Sequence, residues 1–262
     1  MKKLLRKSVI WIILLLYVVL IYGFVDKRYE NQLCNTIEVT IPDSLKTGFV
    51  NKEDILTLIE NHGISCLGEP IYTIDLDSIE KSIRSNQIID ECRAYMSLNG
   101  ILRVEVWQRE PFVRIMEENG KEYYLDREGN ALNLSPRFTP HVLVVNGHFK
   151  SSFEVGSPFN VSALSKDDPD RKMSEIFELA SYIDGDELWR SQIVQLYVNS
   201  SGEYEMVPRV GPHLIILGPI DNYANKFEKL EVFYKEGLSR VGWNKYLKIN
   251  LKYKDQIVCT KI

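Results

Sequence analysis

Four histidines, four cysteines and one dense acidic run are the residues of this chain whose chemistry goes beyond packing. His62, His141, His148 and His213 are scattered, and no HxxxH or HExxH spacing sets two imidazoles on one helix face. His141 and His148 flank the apolar run Val142–Val145, but no third ligand is defined beside them, so they read as exposed loop histidines. Asp167-Asp168-Pro169-Asp170 has the acid density of a calcium loop without the glycine and terminal glutamate that such a loop needs, and reads as a solvated loop or helix start. There is no GxSxG elbow, Walker loop or GxGxxG turn. Carboxylates are plentiful, yet nothing singles out a pair at the separation that glycoside hydrolysis requires. The expectation is recognition without turnover: no catalytic residue, no cofactor and no metal.

Cys34, Cys66, Cys92 and Cys259 contain no CxxC, which removes a zinc ribbon or a thioredoxin-like site. In an oxidising compartment four cysteines allow three complete pairings. The expectation adopted is a Cys66–Cys92 bridge with Cys34 and Cys259 free, and buried thiols throughout are the alternative.

The 262 residues, 45% apolar and 26% charged, exclude a disordered chain, a fibre and a small disulfide scaffold. Lys2, Lys3, Arg6 and Lys7 are the only charged residues among the first 25. Without them 28 cations face 36 acids, so the remainder carries −8 and is a poor polyanion binder. Ser8 to Val25, SVIWIILLLYVVLIYGFV, is uncharged. As a helix it reaches about 27 Å, close to a bilayer core of about 30 Å. Trp11 and Tyr22 suit the two interfaces. A buried core helix would have a polar face, and a cleaved signal would have a shorter apolar run ending in a small-x-small site. The segment reads as an uncleaved signal anchor, with residues 1–7 cytoplasmic by the positive-inside bias and the body on the other side of the membrane.

The elements that carry the body follow from periodicity. Thr36–Ile41 alternates as a half-buried strand. Asn51 caps a helix with Asp54 at its third position and Ile55, Leu58 and Ile59 inward, ending at Asn61-His62-Gly63. A second helix starts at Asp75, with Leu76, Ile79 and Ile83 at helical spacing. Strands at 92–98 and 101–109 flank Asn99-Gly100, a preferred hairpin turn. The order β-α-α-β-β predicts two helices on one face of a three-stranded sheet. Beyond residue 110 the pattern gives strands at 111–116, 121–126, 131–134, 142–145, 193–198, 205–210, 214–217, 246–253 and 256–261. Helices are expected at 173–183 and from Asp221 to about Gly237. The fold class is α+β: an anchor at 8–25, a linker at 26–35, a small module at 36–109, and a mostly antiparallel β domain with flanking helices at 110–262.

Several motifs in this order resemble one family. Phe49-Val50-Asn51-Lys52-Glu53-Asp54-Ile55 opens the first helix, and Val104-Glu105-Val106-Trp107-Gln108-Arg109-Glu110-Pro111 ends the small module. Tyr123-Tyr124-Leu125-Asp126-Arg127-Glu128-Gly129-Asn130 is an aromatic/Asp-x-x-Gly hairpin. Leu217-Gly218 precedes Lys226-Phe227-Glu228-Lys229-Leu230, and Tyr246–Tyr253 stands where the penultimate strand belongs. Together with the anchor they resemble FtsQ/DivIB, bitopic bacterial cell-division proteins, over nearly the whole chain. The resemblance implies a POTRA module, a β domain, and a non-catalytic scaffold of the divisome in the inner membrane with a periplasmic body. The implied partners are FtsB-like and FtsL-like bitopic proteins, the former bound by strand addition to the last strands.

Carried over by position, the binding surface centres on Lys252, Tyr253, Gln256, Ile257 and Val258. Ile257 and Cys259 would share one face, and Gln256, Val258 and Thr260 the other. Val258→Pro should then remove an N–H and stop the pairing. Relatives carry a tryptophan in this strand and often a longer cytoplasmic tail and C-terminus; this sequence departs from all three. The competing functions are a POTRA-type module handling outer-membrane or secreted polypeptides and an envelope enzyme acting on glycans.

Overall fold

The computed structural model describes residues 11, 13–20, 32–42, 48–165, 167–254 and 256–262. The chain divides into two compact units, Met1–Gln108 and Arg109–Ile262. Residues 13–20 are helical with exposed apolar side chains. Among the described residues no helix is long and apolar enough to cross a membrane. Apart from Trp11 and 13–20, the span expected at 8–25 lies outside the described residues, as does linker segment 26–31.

In the first unit, strand β1 (Thr36–Thr40) runs parallel to β3 (Ile101–Gln108), and β3 pairs antiparallel with β2 (Ile89–Met96), giving the order β1-β3-β2. Helix α1 (Lys52–Asn61) opens with a reciprocal capping box: Asp54 N–H donates to Asn51 Oδ1 and Asn51 N–H to Asp54 Oδ2, both at 2.9 Å. Helix α2 (Leu76–Arg84) is capped by Asp75, which accepts from Ser78 N–H at 3.1 Å. Ile55 and Ile59 of α1 and Ile79 and Ile83 of α2 are buried, as are Cys92, Leu102, Val104 and Val106 of the sheet. Each such isoleucine contributes about 1.5–3 kcal/mol of transfer free energy.

β2 is an edge strand, and α2 blocks it. Ser97 N–H donates to Ile101 C=O just past the end of β2, so alternation turns the backbone groups of Cys92 and Ala94 away from β3. Ala94 N–H donates to Glu80 Oε1 at 2.8 Å, and Arg84 Nη2 donates to the Cys92 carbonyl at 2.6 Å. Glu80 and Arg84 are themselves paired at 2.7 Å. Two side chains one helical turn apart thus occupy the sites another strand would use.

The expected Cys66–Cys92 bridge is not formed; all four cysteines are free thiols. Residues 32–34 run along 68–71, with Leu33 bridged to Pro70 and Cys34 N–H donating to Glu69 C=O at 2.8 Å. This register places Cys34 beside the turn that begins at Cys66. Burial, with the neighbouring Cys34, pushes the Cys66 thiol up. Cys92 is buried in β2, and burial, with Glu80 nearby, pushes its thiol up to about 11.

Among the described residues, the second unit is built on one nine-stranded sheet. Its strands are β4 (Pro111–Met116), β5 (Glu122–Asp126), β6 (Ala131–Leu132), β7 (Leu143–Gly147), β8 (Ile193–Val198), β9 (Tyr204–Pro208), β10 (Leu214–Gly218), β11 (Tyr246–Asn250) and β12 (Val258–Lys261). Their order is β12-β11-β10-β9-β8-β7-β4-β5-β6. The sheet is mostly antiparallel, as expected, but mixed: β4–β7, β7–β8 and β10–β11 are parallel. Parallel neighbours need crossovers. Helix α3 (Arg171–Gly185) and the short α4 (Glu187–Gln192) carry β7 to β8, and α5 (Tyr223–Val232) carries β10 toward β11. The sequence pattern did not reveal α4, whose six residues are too few for a stripe. It is fixed by Asp186 accepting from Trp189 N–H at 3.0 Å and by the buried Trp189 ring, 5.1 Å from Phe227.

Two sequence motifs have structural roles here. Asp126 accepts from Glu128 N–H at 3.0 Å, Asn130 N–H at 2.8 Å and Arg109 Nη1 at 2.9 Å, while Gly129 takes φ +89°, which explains the Asp-x-x-Gly spacing. Asp170, from the acidic run, is buried and accepts from Ser152 N–H at 2.8 Å and from Ser152 Oγ at 2.5 Å, just before α3 begins. Among the described residues no three histidine, cysteine or carboxylate side chains cluster as metal ligands.

Candidate functional site

β12 closes one end of the sheet order, so its outer side has no strand beside it among the described residues. The direction of its backbone groups follows from its neighbours. β11 runs parallel to β10, with Ile216 opposite Asn250, and Leu251 N–H donates to Ile216 C=O at 2.9 Å. In a parallel ladder that bond turns the backbone of Ile249 and Leu251 toward β10, and alternation turns Lys248 and Asn250 toward β12. Lys248 faces Thr260 and Asn250 faces Val258. Thr260 and Val258 therefore spend their N–H and C=O groups on β11, and Ile262 N–H likewise donates inward, to Lys245 C=O at 3.3 Å. The groups that face outward belong to Cys259 and Lys261.

Side chains on this edge divide as alternation requires. Ile257 and Cys259 pack against the core cluster, while Val258, 41% exposed, and Thr260 face out; Lys261, on the Cys259 side, lies past the core and is exposed too. Burial pushes the Cys259 thiol up. Of the five residues singled out from sequence, Val258 alone lies in β12. Lys252, Tyr253, Gln256 and Ile257 form the connection from β11, because both strands are shorter than their apolar runs suggested.

That connection is held from three sides. Lys252 Nζ reaches both carboxylate oxygens of Glu203, at 2.7 and 2.9 Å, and its backbone N–H donates to Asn250 Oδ1 at 3.0 Å. Lys229 Nζ, from α5, donates to the carbonyls of Tyr253 and Lys254 at 2.8 and 3.1 Å. Gly218 takes φ +79°, and a Cβ there would lie 2.6 Å from Lys252 Cγ, so only glycine lets the lysine stem lie across the end of β10. The Tyr253 ring is left half exposed.

Beside the connection runs a groove of about 630 Å³ with a largely apolar surface, lined by Val232, Phe233, Gly237 and Ile257 together with Glu228, Lys229, Glu236 and Gln256. Its helical wall changes character along its length. From Phe233 to Leu238 the chain widens into a π-helix, then makes one α-turn, Ser239–Val241. A Cβ on Gly237 would come within 2.8 Å of the Phe233 ring. The sequence reading missed this groove; its one visible signal was a glycine inside a helical pattern. π-turns are energetically costly and concentrate at functional sites.

Elsewhere in this unit, a polar pocket of about 230 Å³ is lined by Pro111, Phe112, Arg127, His141, Asp184 and Arg190, among others. Its carboxylate, Asp184, is tied to Arg127 at 2.9 Å. Burial holds the pKa of His213 below the ordinary imidazole range, with its Nε2 2.9 Å from the Tyr234 hydroxyl.

Comparison with known proteins gives the same two-part division of matches. A family model described as FtsQ/DivIB, C-terminal related, matches residues 110–260, and a model of a POTRA-like domain matches residues 32–107. Two proteins named cell division protein FtsQ, from Rickettsia felis and Rickettsia conorii, are each 29% identical to the chain over 80 residues. Those matches cover 30% of this chain and 30% of each relative's length.

Proposed function

The chain belongs to the FtsQ/DivIB family, and from that membership we propose that it is a non-catalytic scaffold of the bacterial divisome. It is anchored by residues 8–25, with residues 1–7 in the cytoplasm and the body in the periplasm. The POTRA-like module at 36–109 and the β domain at 110–262 join division proteins during septum formation. The partners proposed are FtsB-like and FtsL-like bitopic proteins, and the FtsB-like one adds a strand to β12. The observation that carries this reading is the open outer side of β12, where Cys259 and Lys261 present unspent backbone groups. Strand addition derives affinity from such groups and specificity from the alternating side chains beside them. Lys252, Tyr253, Gln256, Ile257 and Val258 contribute from the connection and the first position of the strand. Confinement to one membrane plane raises the effective concentration of partners whose separate affinities are weak.

The test is affinity capture of the tagged full-length protein from gently solubilised native membranes, with the co-purifying proteins identified by mass spectrometry. Small bitopic coiled-coil proteins recovered with septal components support the scaffold. Outer-membrane assembly factors recovered without them would replace it with the polypeptide-handling reading.

A further inference from the structure

At one end of the POTRA-like module three segments meet, 32–35 (QLCN), 63–73 (GISCLGEPIYT) and 97–100 (SLNG), and the exposed Glu69 is the one charged residue in them. In a chain that is 26% charged this low density is a local property, and the sheet beyond it carries exposed Glu38, Glu91, Arg93 and Arg103. Backbone hydrogen bonds hold the segments together. Ile71 N–H donates to Gln32 C=O at 3.0 Å, Gly68 N–H to Cys34 C=O at 2.8 Å, and Asn35 N–H to Gly100 C=O at 2.7 Å. The fit at Gly100 is tight: at φ +76°, a Cβ would lie 2.2 Å from the Leu33 carbonyl oxygen.

From this end project Leu33, Leu67, Tyr72 and Leu98, exposed by 43, 59, 57 and 78%. Leu67 and Leu98 occupy the corners of the turns Cys66–Glu69 and Ser97–Gly100, positions where polar residues are the rule. Singly exposed leucines need no explanation; four large apolar side chains on converging segments that hold a single charge do.

Chain length says what covers them. Seven peptide steps separate Val25, the last residue of the uncharged stretch, from Gln32. Fully extended they span about 25 Å, so this end stays within that distance of the membrane that holds the anchor. The body's acidic excess would repel anionic headgroups, and these segments contribute only Glu69 to it.

We propose that this end of the module lies on the bilayer surface, with Leu33, Leu67, Tyr72 and Leu98 at the boundary between headgroups and acyl chains. The proposal rests on the anchor reading given above. Contact with lipid fixes the orientation of the first unit on the membrane, which tethering alone does not do.

The test uses the full-length chain with Cys259→Ser, reconstituted in phosphatidylcholine vesicles with or without headgroup-spin-labelled phosphatidylcholine. An environment-sensitive fluorophore is attached through Leu98→Cys, through Leu67→Cys, or through Lys52→Cys at the start of α1 as the control. Cys34, Cys66 and Cys92 are buried and do not compete for the label. The expected result is loss of emission to the spin-labelled lipid at positions 98 and 67 and little loss at 52. Equal quenching at all three positions, or none at 98 and 67 in protein that resists alkaline extraction, overturns the lipid contact and leaves the anchor standing. Protein that alkaline extraction releases from the vesicles overturns both. Emission at 98 that follows protein density and ignores the spin-labelled lipid assigns the surface to a second copy and also overturns the proposal.

Discussion

Asn250 and Val258 face each other across the β11–β12 ladder, and this pairing turns the Val258 N–H into the sheet. The consequence for strand addition is specific. A partner strand on the outer side of β12 would meet the backbone of Cys259 and Lys261, not that of Val258. Val258→Pro, the substitution suggested by sequence, would break the bond to β11 and test stability instead of binding.

Lys261→Pro is the informative change. Its side chain is exposed, its N–H faces outward, and proline is tolerated on the free side of an edge strand. Affinity for the FtsB-like partner should fall about tenfold or more, equivalent to about 1.4 kcal/mol, with unfolding in denaturant little changed. Thr260→Pro, one residue away, should instead lower stability by about 1–3 kcal/mol through the lost inward bond. Isothermal titration and urea unfolding on both variants check the pair of outcomes.

Gly218→Ala should destabilise the second unit by about 1–3 kcal/mol, because alanine at positive φ is strained and its methyl displaces the Lys252 stem. Hydrogen exchange should accelerate across 252–257 while the core of β8 and β9 stays protected. Uniform acceleration over the whole sheet would contradict a local role.

Glu80→Ala removes the acceptor of Ala94 N–H and frees Arg84 from its carboxylate partner. The expected cost is about 1–2 kcal/mol for a part-buried donor left unpaired. An opened β2 edge should also show as concentration-dependent association in sedimentation velocity. A strictly monomeric variant would mean that the Glu80–Arg84 pair does not protect the edge.

Acid should weaken the second unit through His213. Its folded pKa is depressed by burial, so the neutral form is favoured on folding. The contribution is complete above the unfolded value of about 6.5 and is lost as pH falls below it toward the folded value. Thermal melts should therefore show midpoints dropping as the pH is lowered through this window, and His213→Gln should flatten that dependence.

What the sequence could and could not tell follows from range of interaction. The capping box at Asn51 and Asp54 and the cap at Asp75 are local, and each was legible; the hairpin at Asn99-Gly100 was legible in place but not in type, since Ser97 pairs with Ile101 around a three-residue loop instead of a two-residue turn. So was the sharing of one face by Ile257 and Cys259, since strand alternation is local too. The parallel joins of the second sheet were not, because parallel pairing leaves no mark between adjacent residues. The direction of the Val258 N–H depends on β10 pairing with β11, a contact more than thirty residues apart in sequence. Cys66 was assigned to the wrong neighbourhood for the same reason: only the register of 32–34 on 68–71 brings Cys34 to its side. The groove at Phe233 and Gly237 is walled by a π-turn, which the regular helical period conceals.

The central claim, strand addition at β12, is tested most directly by backbone amide exchange of the chain with and without the FtsB-like protein proposed to bind it, resolved residue by residue over 257–262. The account predicts that Cys259 and Lys261 become strongly protected, while Val258 and Thr260, already bonded to β11, change little. Unchanged exchange at Cys259 and Lys261 in a saturated complex would contradict it.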